Sequence, residues 1–125
     1  MLPEIIIALR IWIEARGEPV LGKYAVATVI YNRSGHKRPH DVCVSMAEGW
    51  QTMTLPVLRP EQKETPEWKD CLALAQLILS GTFVPLSDWT HFYNPDLASP
   101  AWASKLTGLT VIGRHTFGRM GATND

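Results

Sequence analysis

The sequence predicts an α+β domain, mainly helical with a small antiparallel sheet, on three observations. Apolar residues recur at helical spacing in two segments within residues 3–33. A third segment after residue 65 does the same and carries helix-start and helix-stop residues at its two ends. Beyond Pro85 the apolar and aromatic residues fall instead into short runs separated by turn residues. Helices followed by short strands define the class.

The first helix is expected over about residues 3 to 15, because Ile5, Ile6, Leu9, Trp12 and Ile13 fall on one face of a 3.6-residue period. Pro3 suits its first turn, Gly17 its C-terminal cap, and Pro19 forbids continuation. The second, over about 20 to 33, is apolar nearly all round through Leu21, Tyr24–Ala27, Val29 and Ile30, which makes it the central core helix. Ser34-Gly35 stops it. A short helix capped by Asp41 is expected through residue 47, and residues 48–64, with Trp50, Pro56 and Pro60, read as a long loop.

Thr65 as cap and Pro66 at the first position open the next helix, with Trp68, Leu72, Ala75 and Leu79 as its buried stripe, reinforced by Cys71 and Ile78, and Gly81 as its end. Residues 89–93 and 109–112 read as short strands. Gly113-Arg114 turns into a third run at 115–117, and Ser99-Pro100 opens one helical turn through Trp102.

Composition narrows the function. A length of 125 residues, 46% of them apolar, fits one domain over residues 1–125 with its own core. Twelve basic residues balance twelve acidic ones, which removes the bulk attraction to nucleic acid or an anionic membrane. Charge is therefore not the main recognition device, and activity is expected to depend only modestly on salt. The start lacks a basic n-region and a small-residue cleavage site, and no apolar run approaches the roughly 20 residues of a membrane span. A protein made in the cytoplasm without a signal peptide, inserting in no membrane and acting as a monomer, is expected. Cys43 and Cys71 then read as reduced, buried thiols.

The most unusual local feature is the run from Ile13 to Pro19. Glu14 follows directly on the apolar face of the first helix, at its last turn. The negative end of the helix dipole and the adjoining buried surface both disfavour its ionised form. A carboxyl group with a raised pKa is what a general acid needs near neutral pH. The competing reading is an ordinary ion pair with Arg10 or Arg16. Glu18 is either the second acid of a glycosidase pair or the residue that fixes the turn.

Residues 90–95 form a second constellation. On a strand His91 and Tyr93 share one face and Phe92 the other, while Asn94-Pro95 makes a turn that presents the Asn94 amide. Donors, acceptors and an aromatic plane suit a sugar, although a strand end with a satisfied histidine has the same pattern. Trp50 beside Gln51 is either a saccharide platform or a core plug, and His115 reads as structural. His36, His40 and Cys43 approximate a metal-ligand spacing, but Pro39 breaks the helix that would align the histidines, so neither a metal nor another cofactor is expected.

These residues carry a resemblance. Glu14-Ala15-Arg16-Gly17-Glu18-Pro19, Gly22-Lys23, Ala25-Val26-Ala27, Val29-Ile30-Tyr31-Asn32-Arg33, Val42-Cys43, Ala75-Gln76, Ser80-Gly81, His91-Phe92-Tyr93-Asn94-Pro95 and Ile112-Gly113-Arg114-His115-Thr116-Phe117 follow in order. The chain resembles the spore cortex-lytic enzyme family of cell-wall hydrolases, which also occurs among bacteriophage lysis proteins. The resemblance implies a lysozyme-like catalytic domain that cuts peptidoglycan glycan strands between N-acetylmuramic acid and N-acetylglucosamine as a lytic transglycosylase. It puts the essential acid at Glu14. Glu18, Trp50, Gln51, His91, Tyr93 and Asn94 are the expected sugar-binding residues. Where the family carries a Gln-Phe-Ser-like segment, this chain has Trp50-Gln51-Thr52-Met53. A hydrolytic muramidase using Glu14 with Glu18, and a non-catalytic wall-binding module, are the alternatives. A phage endolysin, released to the wall by a separate membrane-permeabilising protein, would account for the expected lack of a signal.

Overall fold

The computed structural model describes residues 2–46 and 57–121. Helix α1 (Pro3–Ala15) and helix α2 (Val20–Ser34) occupy the expected segments, but α1 is buried all round from Ile7 to Trp12, and Ile5, Ile6 and Ile13 of its expected face are only partly buried. In α2 Ala25, Val26, Ala27, Val29 and Ile30 are all inaccessible, so it is the central helix, flanked by α1 and by α5 (Pro66–Ser80). Between α1 and α2 the chain turns at Gly17, whose φ of 83° lies in the left-handed region that a side chain disfavours.

Helix α3 (Pro39–Met46) starts earlier than the sequence reading has it. Pro39 does not break this helix but begins it, because proline's missing N–H is no loss in a first turn. Asp41 accordingly lies in the first turn, not at the cap, where it pairs with Arg38 and His40. A four-residue helix α4 (Pro60–Lys63) occupies the end of the expected long loop. In α5 Thr65 Oγ1 accepts a hydrogen bond from the Trp68 amide and Gly81 closes the helix at φ 79°. Its buried stripe is Trp68, Cys71, Leu74, Ala75 and Ile78. Leu79, expected in that stripe, is exposed, since the stripe passes through Leu74 instead.

Strand β1 (His91–Tyr93), strand β2 (Leu106–Ile112) and strand β3 (His115–Met120) form an antiparallel sheet in the order β1-β3-β2. A short 3-10 helix (Ala101–Lys105) lies between β1 and β2. β3 is the central strand, pairing Phe92 with Phe117 on one side and Thr110 with Phe117 on the other. Phe117 is fully buried against Trp89 and Phe92, which carries the core of the helices into the sheet. Both described cysteines are free and buried; burial pushes each thiol pKa up to about 12, which leaves them inert.

The segment between α5 and β1 is fastened from α2. Asn32 Nδ2 donates to the Ser87 and Trp89 carbonyls at 2.9 and 2.8 Å. Asn32→Ala should cost roughly 2 kcal/mol, because two part-buried acceptors lose one donor group. Urea denaturation checks this, and a loss of a few tenths would contradict it.

Candidate active site

Helix α1, buried all round from Ile7 to Trp12, carries Glu14 in its last turn to the rim of the core. There it lines an open cleft of about 770 Å³ between α1 and the β1 side of the sheet. The walls include Ile13, Phe92, Tyr93, Asn94 and Trp102. The Glu14 side chain is only 18% exposed. Burial raises its pKa above the ordinary carboxylate range, against the opposing charge of Arg10, its ion-pair partner one turn back. The two sequence readings of Glu14 therefore hold together: it is ion-paired and it has a raised pKa.

Glu18, expected to touch sugar, is held elsewhere. Its side chain is 4% exposed and is not part of the cleft wall. Oε1 accepts from the Arg114 backbone amide at 2.9 Å and Oε2 from Arg114 Nε at 3.0 Å. Arg114 also donates to the Arg16 carbonyl, which ties the α1–α2 turn to the β2–β3 turn. Burial alone would raise the pKa of Glu18, but the two Arg114 hydrogen bonds and its charge together hold it below the usual range. It is an ionised carboxylate that fixes a turn, with Arg114 as the partner.

Tyr93 and Asn94, expected to bind sugar, line the cleft. Asn94 Oδ1 accepts from the Asp96 amide, fixing the turn, while its Nδ2 has no partner among the described residues. His91 does not line the cleft. It shares a strand face with Tyr93, and both rings pack on Trp102 at centroid distances of 4.9 and 5.9 Å. Burial, then the charge of Arg33, lowers the pKa of His91. Trp50 and Gln51 lie outside the described residues.

Several cleft residues escape the sequence reading. Trp102 reaches the wall from the 3-10 helix, and Leu97, Ala98 and Pro100 come from the connection before it. His115, read from the sequence as structural, is buried. It lines the cleft with Nδ1 3.7 Å from Glu18, beyond hydrogen-bond reach. Burial lowers its pKa despite the nearby carboxylate, so it is neutral at neutral pH. Arg10, Arg16, Arg33 and Arg114 also line the cleft, where Glu14 is the one carboxyl group among the described residues. A zero net charge thus conceals a cationic cleft. No group of three metal-ligating side chains occurs among the described residues, and His40 pairs with Asp41.

Fold and cleft together define a lysozyme-like α+β domain with a carboxyl group on a helix at the wall of an open groove. A family model described as cell wall hydrolase matches residues 17–118, and the chain belongs to that family of enzymes. The match spans Glu18, His91, Tyr93 and Asn94 and begins three residues after Glu14. The structure is similar to the catalytic domain of the germination-specific lytic transglycosylase SleB from Bacillus anthracis. That domain is 24% identical, with a TM-score of 0.65 over 95% of this chain and 96% of that one. The catalytic domain of the Bacillus cereus SleB protein is similar too, 22% identical with a TM-score of 0.63, over 94% and 89% of the two chains. At these identities the likeness establishes a shared fold. No curated protein sequence matches the chain.

Proposed function

We propose that the protein cleaves peptidoglycan glycan strands between N-acetylmuramic acid and N-acetylglucosamine as a lytic transglycosylase, with Glu14 as its single catalytic residue. The observation that carries this reading is the one carboxyl group that lines the cleft among the described residues, with a raised pKa, set among aromatic and amide side chains. Glu14 in its acid form donates its proton to the glycosidic oxygen as the bond from that oxygen to C1 of the muramic residue breaks. The resulting carboxylate takes the proton of the same residue's C6 hydroxyl, and that oxygen closes on C1 to give a 1,6-anhydro ring. The proton returns to Glu14, and no water and no second carboxylate enters. Tyr93 and Asn94 supply polar groups at the cleft for the developing oxocarbenium-like charge and for sugar hydroxyls. The burial of Glu18 against Arg114 speaks against a hydrolytic acid–base pair. Delivery to the wall by a separate membrane-permeabilising protein belongs to the proposal, and secretion of the native chain on its own would contradict it. No helix among the described residues is long and apolar enough to cross a membrane.

Purified sacculi incubated with the protein should release soluble muropeptides. Sacculi that retain the protein and release nothing would make it a binding module and overturn the reading. The pH profile tests the role of Glu14 separately. Only its protonated form starts the reaction, so kcat/KM should fall as pH rises through a pKa above the ordinary carboxylate range. Arg10 opposes that raised pKa, so Arg10→Gln should move the falling limb to higher pH. A shift to lower pH would contradict the assignment.

A further inference from the structure

The cationic character of the cleft has no role in the chemistry above, which handles a neutral glycosidic bond. Two of its four arginines are already engaged: Arg10 pairs with Glu14, and Arg114 binds Glu18 and the Arg16 carbonyl. Arg16 lies over the Trp12 ring, 5.0 Å from its centroid, and has no carboxylate partner among the described residues. Arg33, at the last turn of α2, has none either. Partial burial of Arg33, and then the neighbouring charge of Arg10, disfavour its cationic form, so an anion at this position would relieve repulsion between like charges. A guanidinium fork matches a carboxylate in geometry as well as in charge.

We propose that Arg33, assisted by Arg16, binds a carboxylate of the substrate and so makes this cleft selective for anionic glycan strands. The proposal rests on the reading of the protein as a peptidoglycan-cleaving enzyme and names a charged group that its substrate must carry. Peptidoglycan offers carboxylates from two sources: those of the stem peptide, and the lactyl ether of muramic residues that bear no peptide, since on peptide-bearing residues that carboxyl is the amide link to the stem. Arg33 sets KM, and Glu14 sets kcat.

The test compares native sacculi with sacculi whose carboxylates have been converted to amides, for the wild type, Arg33→Gln and Arg33→Lys. Amidation should raise the wild-type KM on the order of tenfold with little change in kcat, the loss expected for one charge-assisted contact. Arg33→Gln should show that higher KM on native sacculi and no further response to amidation, while Arg33→Lys keeps part of the discrimination. If Arg33→Gln does not fold, the wild-type comparison decides alone. Glycan freed of its peptides by an amidase carries the lactyl carboxylate on its muramic residues and identifies the source: a response to amidation on this glycan means that the lactyl group is read, and no response there means that the stem peptide is. Equal wild-type KM with and without amidation, on sacculi and on peptide-free glycan alike, or full discrimination by Arg33→Gln, overturns this proposal alone. A wild type that cuts neither substrate overturns the functional reading and this proposal with it.

Discussion

Replacing Glu14 by Gln should lower the rate of wall lysis by at least about 10³-fold while leaving the thermal transition nearly where it was. The substitution keeps the size and polarity of the side chain but removes both the proton given to the glycosidic oxygen and the base that forms afterwards. One residue performs both steps in the proposed reaction, so neither is left to another carboxylate of the described cleft. The fold should survive because Gln can still accept a hydrogen bond from Arg10, and it relieves the cost of ionising a mostly buried carboxyl group. Turbidity loss of a sacculus suspension and circular dichroism give the two readouts. Lysis by Glu14→Gln at near wild-type rate would remove Glu14 from the chemistry.

The largest expected effect on stability comes from a glycine far from Glu14 in sequence. At Gly113 φ is 60°, the left-handed region, and an added Cβ would overlap Glu18 Oε1 and lie 2.9 Å from Glu18 Cδ. Gly113→Ala therefore combines backbone strain with displacement of a buried carboxylate that holds two hydrogen bonds to Arg114. Together these should cost about 3 kcal/mol, a fall in Tm of roughly 10 °C for a chain of this size. Differential scanning calorimetry measures it directly. A fall of one or two degrees would mean that Glu18 moves without loss and that its lock on the turn is unimportant.

Parts of this arrangement are legible in the sequence because their causes are local. The α1 and α2 apolar faces, the Thr65-Pro66 start and the Gly81 stop follow from residues within one or two turns of each other. Glu14 is legible for the same reason: its place at the end of an amphipathic helix decides both its burial and its position at the rim. Glu18 is not, because its partner Arg114 lies 96 residues away and the contact exists only once the β2–β3 turn reaches the α1–α2 turn. Leu79 yields to Leu74 for a similar reason. Their helical positions are alike in character, and only the packing of α5 against α1 and α2 decides which one is covered. Trp102 and the four cleft arginines depend on the same tertiary convergence, and a chain-wide count of charges cannot register four cations gathered from α1 and its end, the last turn of α2 and a hairpin turn. Pro39 shows how one residue supports opposite expectations, since proline ends a helix from within and begins one from its first turn.

The central claim, a single glutamate that passes one proton out and takes another from the substrate, is tested most directly by the ends of the glycan fragments. Mass spectrometry of muropeptides released from purified sacculi should find 1,6-anhydro-muramic ends, lighter by one water than the hydrolytic product. It should find them from the first turnovers and without incorporation of isotope from labelled water. Reducing muramic ends that carry the solvent's oxygen would contradict the account and require a water-activating base that it does not contain.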